Sequence, residues 1–328
     1  MAGGDLLIHT PIWQRAWLNG EGRRYDFRPM FTPIRPIVRR ADLAICHVET
    51  PIGAGAPSTY PIFNSPPELA PAIAWAGFDA CTTASNHSVD RGESGIRTTL
   101  RILERAGVRH TGTARSQREA RRILLLPVGG IRVALLSYTY GANGLPVPHP
   151  WSVSLISQAK VVADARRARR LGADLVLASF HWGVEYSHEP NEQQVTLARF
   201  LLRRGVVDAI VGQHAHVVQP IRRIAGRFVV YGEGNLLSAQ SVACCRSETQ
   251  DGLIAVLRVR VEGGRARVTR ADYVPTRVRW PDFVVEPVGF VLRRLGDSAR
   301  AGELRASYLR TAGYAGRGRW IRPLPALR

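Results

Sequence analysis

Two imidazoles separated by one residue, His214 and His216, follow the apolar run Asp208-Ala209-Ile210-Val211, which ends at Gly212. The run reads as a buried strand stopped by glycine. On an extended segment, residues i and i+2 point the same way. Neutral imidazoles side by side can bind one metal ion or two adjacent ones. A lone His-x-His is as well read as a pair of structural histidines, because short motifs recur by chance. The balance changes because metal-ligand residues follow strand-like runs four more times. Asp5 follows Gly3-Gly4, Glu49 ends residues 42–49, Asn86 and His87 follow residues 77–84, and His181 follows residues 174–179. Carboxylate, carboxamide and imidazole without thiolate suit zinc, iron or manganese. Asp5, Glu49, Asn86, His181, His214 and His216 are too many ligands for one tetrahedral zinc. They suit two ions sharing a bridging carboxylate, about 3.5–4 Å apart, which activate a water and clamp phosphoryl oxygens.

These residues need elements to hold them. Helical patterns span residues 34–40, 67–76, 94–106, 157–171 and 191–204. Strand patterns span 42–49, 77–84, 174–179, 206–211 and 227–231, and Gly129-Gly130 reads as the turn of a hairpin over 123–138. A second hairpin, 252–273, turns at Glu262-Gly263-Gly264. Only Met1 and Ala2 precede Gly3-Gly4, so the first strand is expected to be very short and Asp5 poorly anchored. If the chain turns helical there, Asp5 and His9 share a face. Strands alternating with helices predict a layered α/β fold, with ligand residues on the strand-end edge where such sheets bind ligands. Residues 1–275 read as one domain. Residues 276–328 read as an Arg/Gly-rich extension with modest helix patterns near 288–295 and 303–309.

The chain has 328 residues, 45% of them apolar, enough for a full core. Its formal net charge is +19, from 45 basic and 26 acidic residues, and Lys160 is the only lysine. The arginines are spread along the chain with no nucleic-acid motif beside them, so nucleic acid is not an expected partner. The charge suits a phosphorylated or polyanionic ligand. Cys46 and Cys81 lie in apolar strand-like runs and read as small hydrophobes. Cys244-Cys245 lacks the spacing of a zinc or redox motif. No run of eighteen apolar residues and no signal-like start occurs, so the chain as read is expected in the cytoplasm.

Taken in order, Gly4-Asp5, Val48-Glu49-Thr50, Ser85-Asn86-His87 with Asp90 and Gly92, His181-Trp182-Gly183 with Glu185-Tyr186, Gly212-Gln213-His214-Ala215-His216 and Gly234-Asn235 form one pattern. It resembles the calcineurin-like metallophosphoesterase superfamily, and within it the CapA branch of poly-γ-glutamate capsule biosynthesis proteins. The resemblance spans Asp5 to Asn235. It implies a layered α-β-β-α sandwich with a strand-end metal site, two divalent ions (Mn, Fe or Zn) and phosphoester hydrolysis linked to capsule or polyglutamate synthesis. It also implies partners among the proteins of that synthesis, and a location at the cell envelope, where relatives often work.

The resemblance implies roles as well. Asp5 would bind the first ion, with His9 as a further candidate, and Glu49 would bridge. Asn86, His181 and His214 would hold the second ion, and His216 would return to the first. His87 would protonate the leaving oxygen, oriented by Asp90. Glu185 is a candidate substrate or supporting contact, and Asn235 lies near the site in the family pattern. Position 7, where the superfamily usually has histidine, is Leu7. His47 is read as structural, Trp182 and Tyr186 as packing residues, and His110, His149 and His188 as loop residues. The alternative reading is a non-catalytic accessory protein that binds polyglutamate through its arginines during polymer synthesis or export.

Overall fold

A computed structural model describes residues 1–262, 265–296 and 298–327. The chain opens with β1 (Ala2–Leu7), α1 (Thr10–Asn19), two single turns α2 (Arg28–Phe31) and α3 (Arg35–Val38), β2 (Ile45–Val48) and α4 (Leu69–Ala76). Then come β3 (Ala80–Thr82), α5 (Gly92–Arg105), β4 (Arg109–Thr111), α6 (Gln117–Ala120), β5 (Leu124–Val128) and β6 (Ile131–Thr139). The second half holds α7 (Gln158–Arg170), β7 (Leu175–His181), α8 (Glu192–Arg203), β8 (Ala209–Gln213), β9 (Ile221–Ile224), β10 (Arg227–Val230) and β11 (Asn235–Ser238). The chain ends through β12 (Asp251–Glu262), β13 (Arg265–Arg279), β14 (Val284–Pro287), α9 (Val288–Leu292) and α10 (Ala299–Ala315). The expected turn at Gly263-Gly264 lies outside the described residues. Among the described residues no helix is long and apolar enough to cross a membrane.

The strands form two sheets. One runs β14-β13-β12-β1-β2-β3-β4, with β11 also paired to β1; the other runs β5-β6-β7-β8-β10-β9. Pairing is parallel along β1-β2-β3-β4 and along β6-β7-β8-β10. The carboxyl ends of these strands therefore point one way in each sheet. Side chains alternate between faces with period two. On β2 and β3, Ile45 and Ala80 face the second sheet while Cys46, Val48 and Cys81 face the helix layer of α1 to α4. On β7, Leu175 and Leu177 face the first sheet, while Val176, Ala178 and Phe180 face α7 and α8. Three apolar layers thus alternate with two sheets, which is the predicted α-β-β-α sandwich.

The first strand differs from expectation. β1 is six residues long and fully buried, and Asp5 lies inside it rather than past its end. Its first half pairs with β12 and its second half with β11, with a register shift at Asp5. Gly4 makes this possible: a Cβ there would stand 1.8 Å from the Gly234 carbonyl oxygen. The Asp5 amide donates to that oxygen at 3.1 Å. Asp5 is therefore well anchored, and because β1 is extended, the shared helical face of Asp5 and His9 does not form. The cysteine reading also changes. Cys46 and Cys81 are register partners on β2 and β3 and are joined as a disulfide, as are Cys244 and Cys245. His110 lies on edge strand β4, not in a loop.

Candidate metal centre

Toward the carboxyl edge the space between the sheets turns from apolar to polar within one step of the alternation. Asn235, Asp5, His47 and Thr82 stand in register across β11, β1, β2 and β3. Facing them, β7 continues its inward face from Leu177 to Ser179 and His181, and β8 continues from Val211 to Gln213. The loops after β2, β3 and β8 add Glu49, Asn86 and the histidine pair. Serine hydroxyls shape the loop after β3: Ser85 Oγ donates to the Glu49 carbonyl at 2.6 Å, and Ser88 Oγ accepts the Ser85 amide at 2.8 Å.

The structure brings the six proposed ligands into one buried cluster. His216 Nδ1 lies 3.4 Å from Asp5 Oδ2, and its Nε2 lies 3.7 Å from Glu49 Oε1. His181 Nδ1 lies 3.8 Å from Asp5 Oδ1, and its Nε2 lies 3.9 Å from Glu49 Oε1 and 2.8 Å from Asn86 Oδ1. The His214 ring centroid is 4.7 Å from that of His181 and 6.0 Å from that of His216. The His-x-His pair does not sit on an extended segment, however. His214 and His216 have φ of 93° and 57°, a left-handed backbone that costs about 1–3 kcal/mol per non-glycine residue. The turn is held partly by the His214 amide, which donates to Asp5 Oδ2 at 3.1 Å. Gly212 is required before it, because a Cβ would meet the Tyr231 carbonyl oxygen at 1.9 Å.

The cluster is electrostatically incomplete by itself. Glu49 Oε1 and Oε2, His47 Nε2, His181 Nδ1 and His214 Nδ1 are all buried without a hydrogen-bond partner. Each such group forfeits about 1–3 kcal/mol, and a charged one more. Burial pushes the Glu49 carboxyl well above its ordinary range. Burial also holds His181 well below the usual imidazole value, His47 at about 4 and His214 at about 3. These imidazoles are neutral and offer lone pairs. Burial would lower His216 too, but Glu49 and Asp5 outweigh it and raise it to about 9. Burial raises Asp5, yet the hydrogen bond and charge of His216 take it below the ordinary carboxylate value. Divalent cations would satisfy all five orphaned atoms at once, and loading would release the His216 proton. The donor set fits a metal.

At the rim, His87 Nδ1 is 2.8 Å from Asp90 Oδ2, which also accepts the Phe63 amide at 2.8 Å. His87 Nε2 is 3.5 Å from the Asn143 amide nitrogen, and Asn143 Oδ1 accepts Asn86 Nδ2–H at 3.2 Å. Glu185 is exposed and offers a carboxylate oxygen within 4.8 Å of ring nitrogens of His214 and His216. Asn235 Oδ1 lies 3.1 Å from His216 Nδ1, and its Nδ2 donates to Gln240 and Thr249, so it orients His216. His9 occupies the N-cap position of α1 without a side-chain capping bond, and its Nδ1 accepts the Ala239 amide at 3.4 Å. It belongs to none of the donor groups found among the described residues. Trp182 packs on the far side of β7, donating to the Tyr231 carbonyl. Glu104, His110 and Glu119 also converge, but the Arg115 guanidinium bonds both carboxylates and fills that space.

Two site residues were missed in the sequence. His47 faces the cluster, stacked on His181 with centroids 4.9 Å apart. The signal was present: His47 is two residues before Glu49, so one strand face carries both. Asn143 comes from the loop after β6 at φ 51°, and nothing in its local pattern marks it.

The sequence profile of the bacterial capsule synthesis protein family PGA_cap matches residues 1–240. The chain is similar to the capsule biosynthesis protein CapA of Bacillus anthracis, with 26% identity over 287 residues covering 84% of this chain and 66% of that protein. It is also similar to the PGA biosynthesis protein CapA of Bacillus subtilis (strain 168), with 29% identity over 198 residues covering 60% of this chain and 51% of that protein. The matched part thus spans less than two thirds of either relative. Among solved structures, a hypothetical protein from Thermus thermophilus superposes with a TM-score of 0.51 at 17% identity, covering 84% of this chain and 96% of that one. That similarity is one of fold.

Proposed function

Because the chain belongs to the bacterial capsule synthesis protein family PGA_cap, we propose that it is a metal-dependent phosphoester hydrolase serving capsule or polyglutamate synthesis. The observation that carries this reading is the buried set of unpartnered donor atoms on Glu49, His181 and His214 with a histidine–carboxylate pair at its rim. Asp5, Glu49, Asn86, His181, His214 and His216 would hold two divalent ions. Bound there, such ions supply Lewis-acid charge at a phosphoryl oxygen and acidify a water. Glu49 Oε1 lies 3.9 Å from His181 Nε2 and 3.7 Å from His216 Nε2, which supports reading Glu49 as the carboxylate that would serve both ions. With Asp90 accepting the His87 Nδ1–H, a doubly protonated His87 would hand its Nε2 proton to the leaving oxygen and keep the Nδ1–H. A positioned acid of this kind contributes about 10²–10⁴-fold. Asn235 fixes the His216 ring, and burial keeps bulk water out.

The test uses metal-free protein loaded with Mn²⁺, Fe²⁺ or Zn²⁺ and assayed on aryl phosphate mono- and diesters. Turnover is expected with at least one metal, and His87→Ala is expected to keep its metal while losing about 10²-fold or more in rate. Protein that carries metal yet turns over no ester with any of the three ions overturns the hydrolase reading.

The net charge of +19 favours a second reading, an accessory protein that binds an anionic polymer without cleaving it. Salt-sensitive binding to poly-γ-glutamate that survives Asn86→Ala and His214→Ala, without hydrolysis, is its signature.

A further inference from the structure

We propose that His47 is itself a metal ligand, completing a nitrogen-rich subsite with Asp5 and His181 at the deep end of the cluster. The proposal rests on the reading of this cluster as a metal centre and deepens it. His47 is the register partner of Asp5 across β1 and β2, so both side chains enter the same space. Its Nδ1 is engaged with Thr82 Oγ1 at 2.8 Å, while its Nε2 is buried and has no partner. Nε2 lies 3.8 Å from Asp5 Oδ1, too far for a hydrogen bond. If Nε2 carried the proton, a donor would be buried with no acceptor. If Nδ1 carries it and donates to Thr82, Nε2 presents a lone pair to the same point that Asp5 Oδ1 faces.

His181 behaves alike. Its Nε2, 2.8 Å from Asn86 Oδ1, can donate there, and its unpartnered Nδ1 lies 3.8 Å from Asp5 Oδ1. The donor atoms of Asp5, His47 and His181 all lie within 4.8 Å of one another. Bonds of about 2.0–2.1 Å in a tetrahedral site put donors roughly 3.4 Å apart, so each 3.8 Å gap closes with a shift of a few tenths of an ångström. This assigns His181 to the deep subsite rather than beside Asn86 and His214. Two imidazoles to one carboxylate favour zinc, iron or cobalt over magnesium or calcium.

The experiment uses full-length protein stripped with a chelator and titrated with Co²⁺ and Zn²⁺, following ion stoichiometry and the Co²⁺ visible absorption. His47→Leu is compared with wild type, Glu49→Gln and His216→Ala. Loss of one ion at matched concentration, or about 100-fold weaker binding of it, with an altered Co²⁺ spectrum, is expected for His47→Leu; even supporting partners of ligands typically give about 10–100-fold. Unchanged stoichiometry, affinity and spectrum in His47→Leu, while Glu49→Gln and His216→Ala lose metal, overturns the His47 assignment and spares the centre. Wild-type protein that takes up no ion overturns both. If His47→Leu does not fold, proton NMR of Co²⁺-loaded wild type decides. A hyperfine-shifted exchangeable N–H assigned to His47 supports the ligand, and its absence beside those of other histidines overturns it.

Discussion

Replacing Glu49 by glutamine should raise the stability of the metal-free protein and cut what the protein gains from metal. Both Glu49 oxygens are buried without partners, and burial pushes the carboxyl well above its ordinary value. The sign follows from linkage. A carboxyl with a raised folded pKa binds its proton more tightly when folded, so metal-free stability falls as pH rises above the unfolded value near 4.5. Glutamine removes that dependence and keeps the shape. Between about pH 4.5 and 7 the stability lost through that titration is at most about 3 kcal/mol. At about 2.1 cal/mol/K per residue, unfolding 328 residues carries roughly 0.7 kcal/mol/K. Metal-free Glu49→Gln should therefore melt above metal-free wild type at neutral pH, by up to about 4 °C. A cation at about 100 times its Kd adds about 2.7 kcal/mol to wild type, or roughly 4 °C. If the substitution weakens binding about 100-fold, the same concentration adds only about 0.4 kcal/mol to the variant. Scanning calorimetry of both proteins, in chelator and in Zn²⁺, reads both differences directly. A variant less stable than wild type in chelator, or one that gains as much from Zn²⁺, would refute the claim that the Glu49 charge is there for a cation.

Two further predictions concern residues outside the proposed ligand set. Asn143 is exposed, and its amide touches Asn86, His87 and Tyr140. Asn143→Gly, which keeps the positive φ, should leave the melting temperature nearly unchanged and lower ester turnover or metal affinity about 10–100-fold; steady-state rates and calorimetric titration that both match wild type would rule out the role. Burial pushes the Glu233 carboxyl to about 8 from 4.5, so its contribution to stability declines as pH rises from 4.5 to about 8. Between about pH 4.5 and 7 the loss is at most about 3 kcal/mol, and urea midpoints in chelator should show a flatter pH profile for Glu233→Gln; parallel profiles would contradict it.

The architecture was legible because its cues are local. The strand-like runs at residues 77–84 and 174–179, a capping box at Asn191 and Gln194 and Gly-Gly at the β5–β6 turn each act within a few positions. What escaped depends on distant partners. β1 looked too short because only Met1 and Ala2 precede Gly3-Gly4, yet the strand runs on through the glycines, and Gly4 admits the Gly234 carbonyl and lets β11 pair beside Asp5. The disulfide Cys46–Cys81 follows from register between strands 35 residues apart in the chain, which no spacing rule encodes. The left-handed turn at His214 and His216 is stabilised by Asp5, more than two hundred residues away.

His47 exposes the limit most clearly, because its neighbours were read while it was set aside. Three facts at increasing range place it. Position i−2 from Glu49 assigns its face, pairing with Asp5 assigns its depth, and Thr82 on the next strand fixes which nitrogen is left over. Only the first is present in the local sequence, and by itself it permits a histidine packed against an apolar core. The apolar inter-sheet core does begin one step away, at Ile45, Ala80 and Leu177. A histidine one step lower would be a buried polar defect. At position 47 it stands where Thr82, Ser179 and Gln213 make the interior polar, linked through Ser179 Oγ to Gln213 at 2.8 Å and on to Glu233 at 2.9 Å. The boundary between packing and chemistry in this fold is therefore a single rung of the strand ladder, and His47 lies on the chemical side of it.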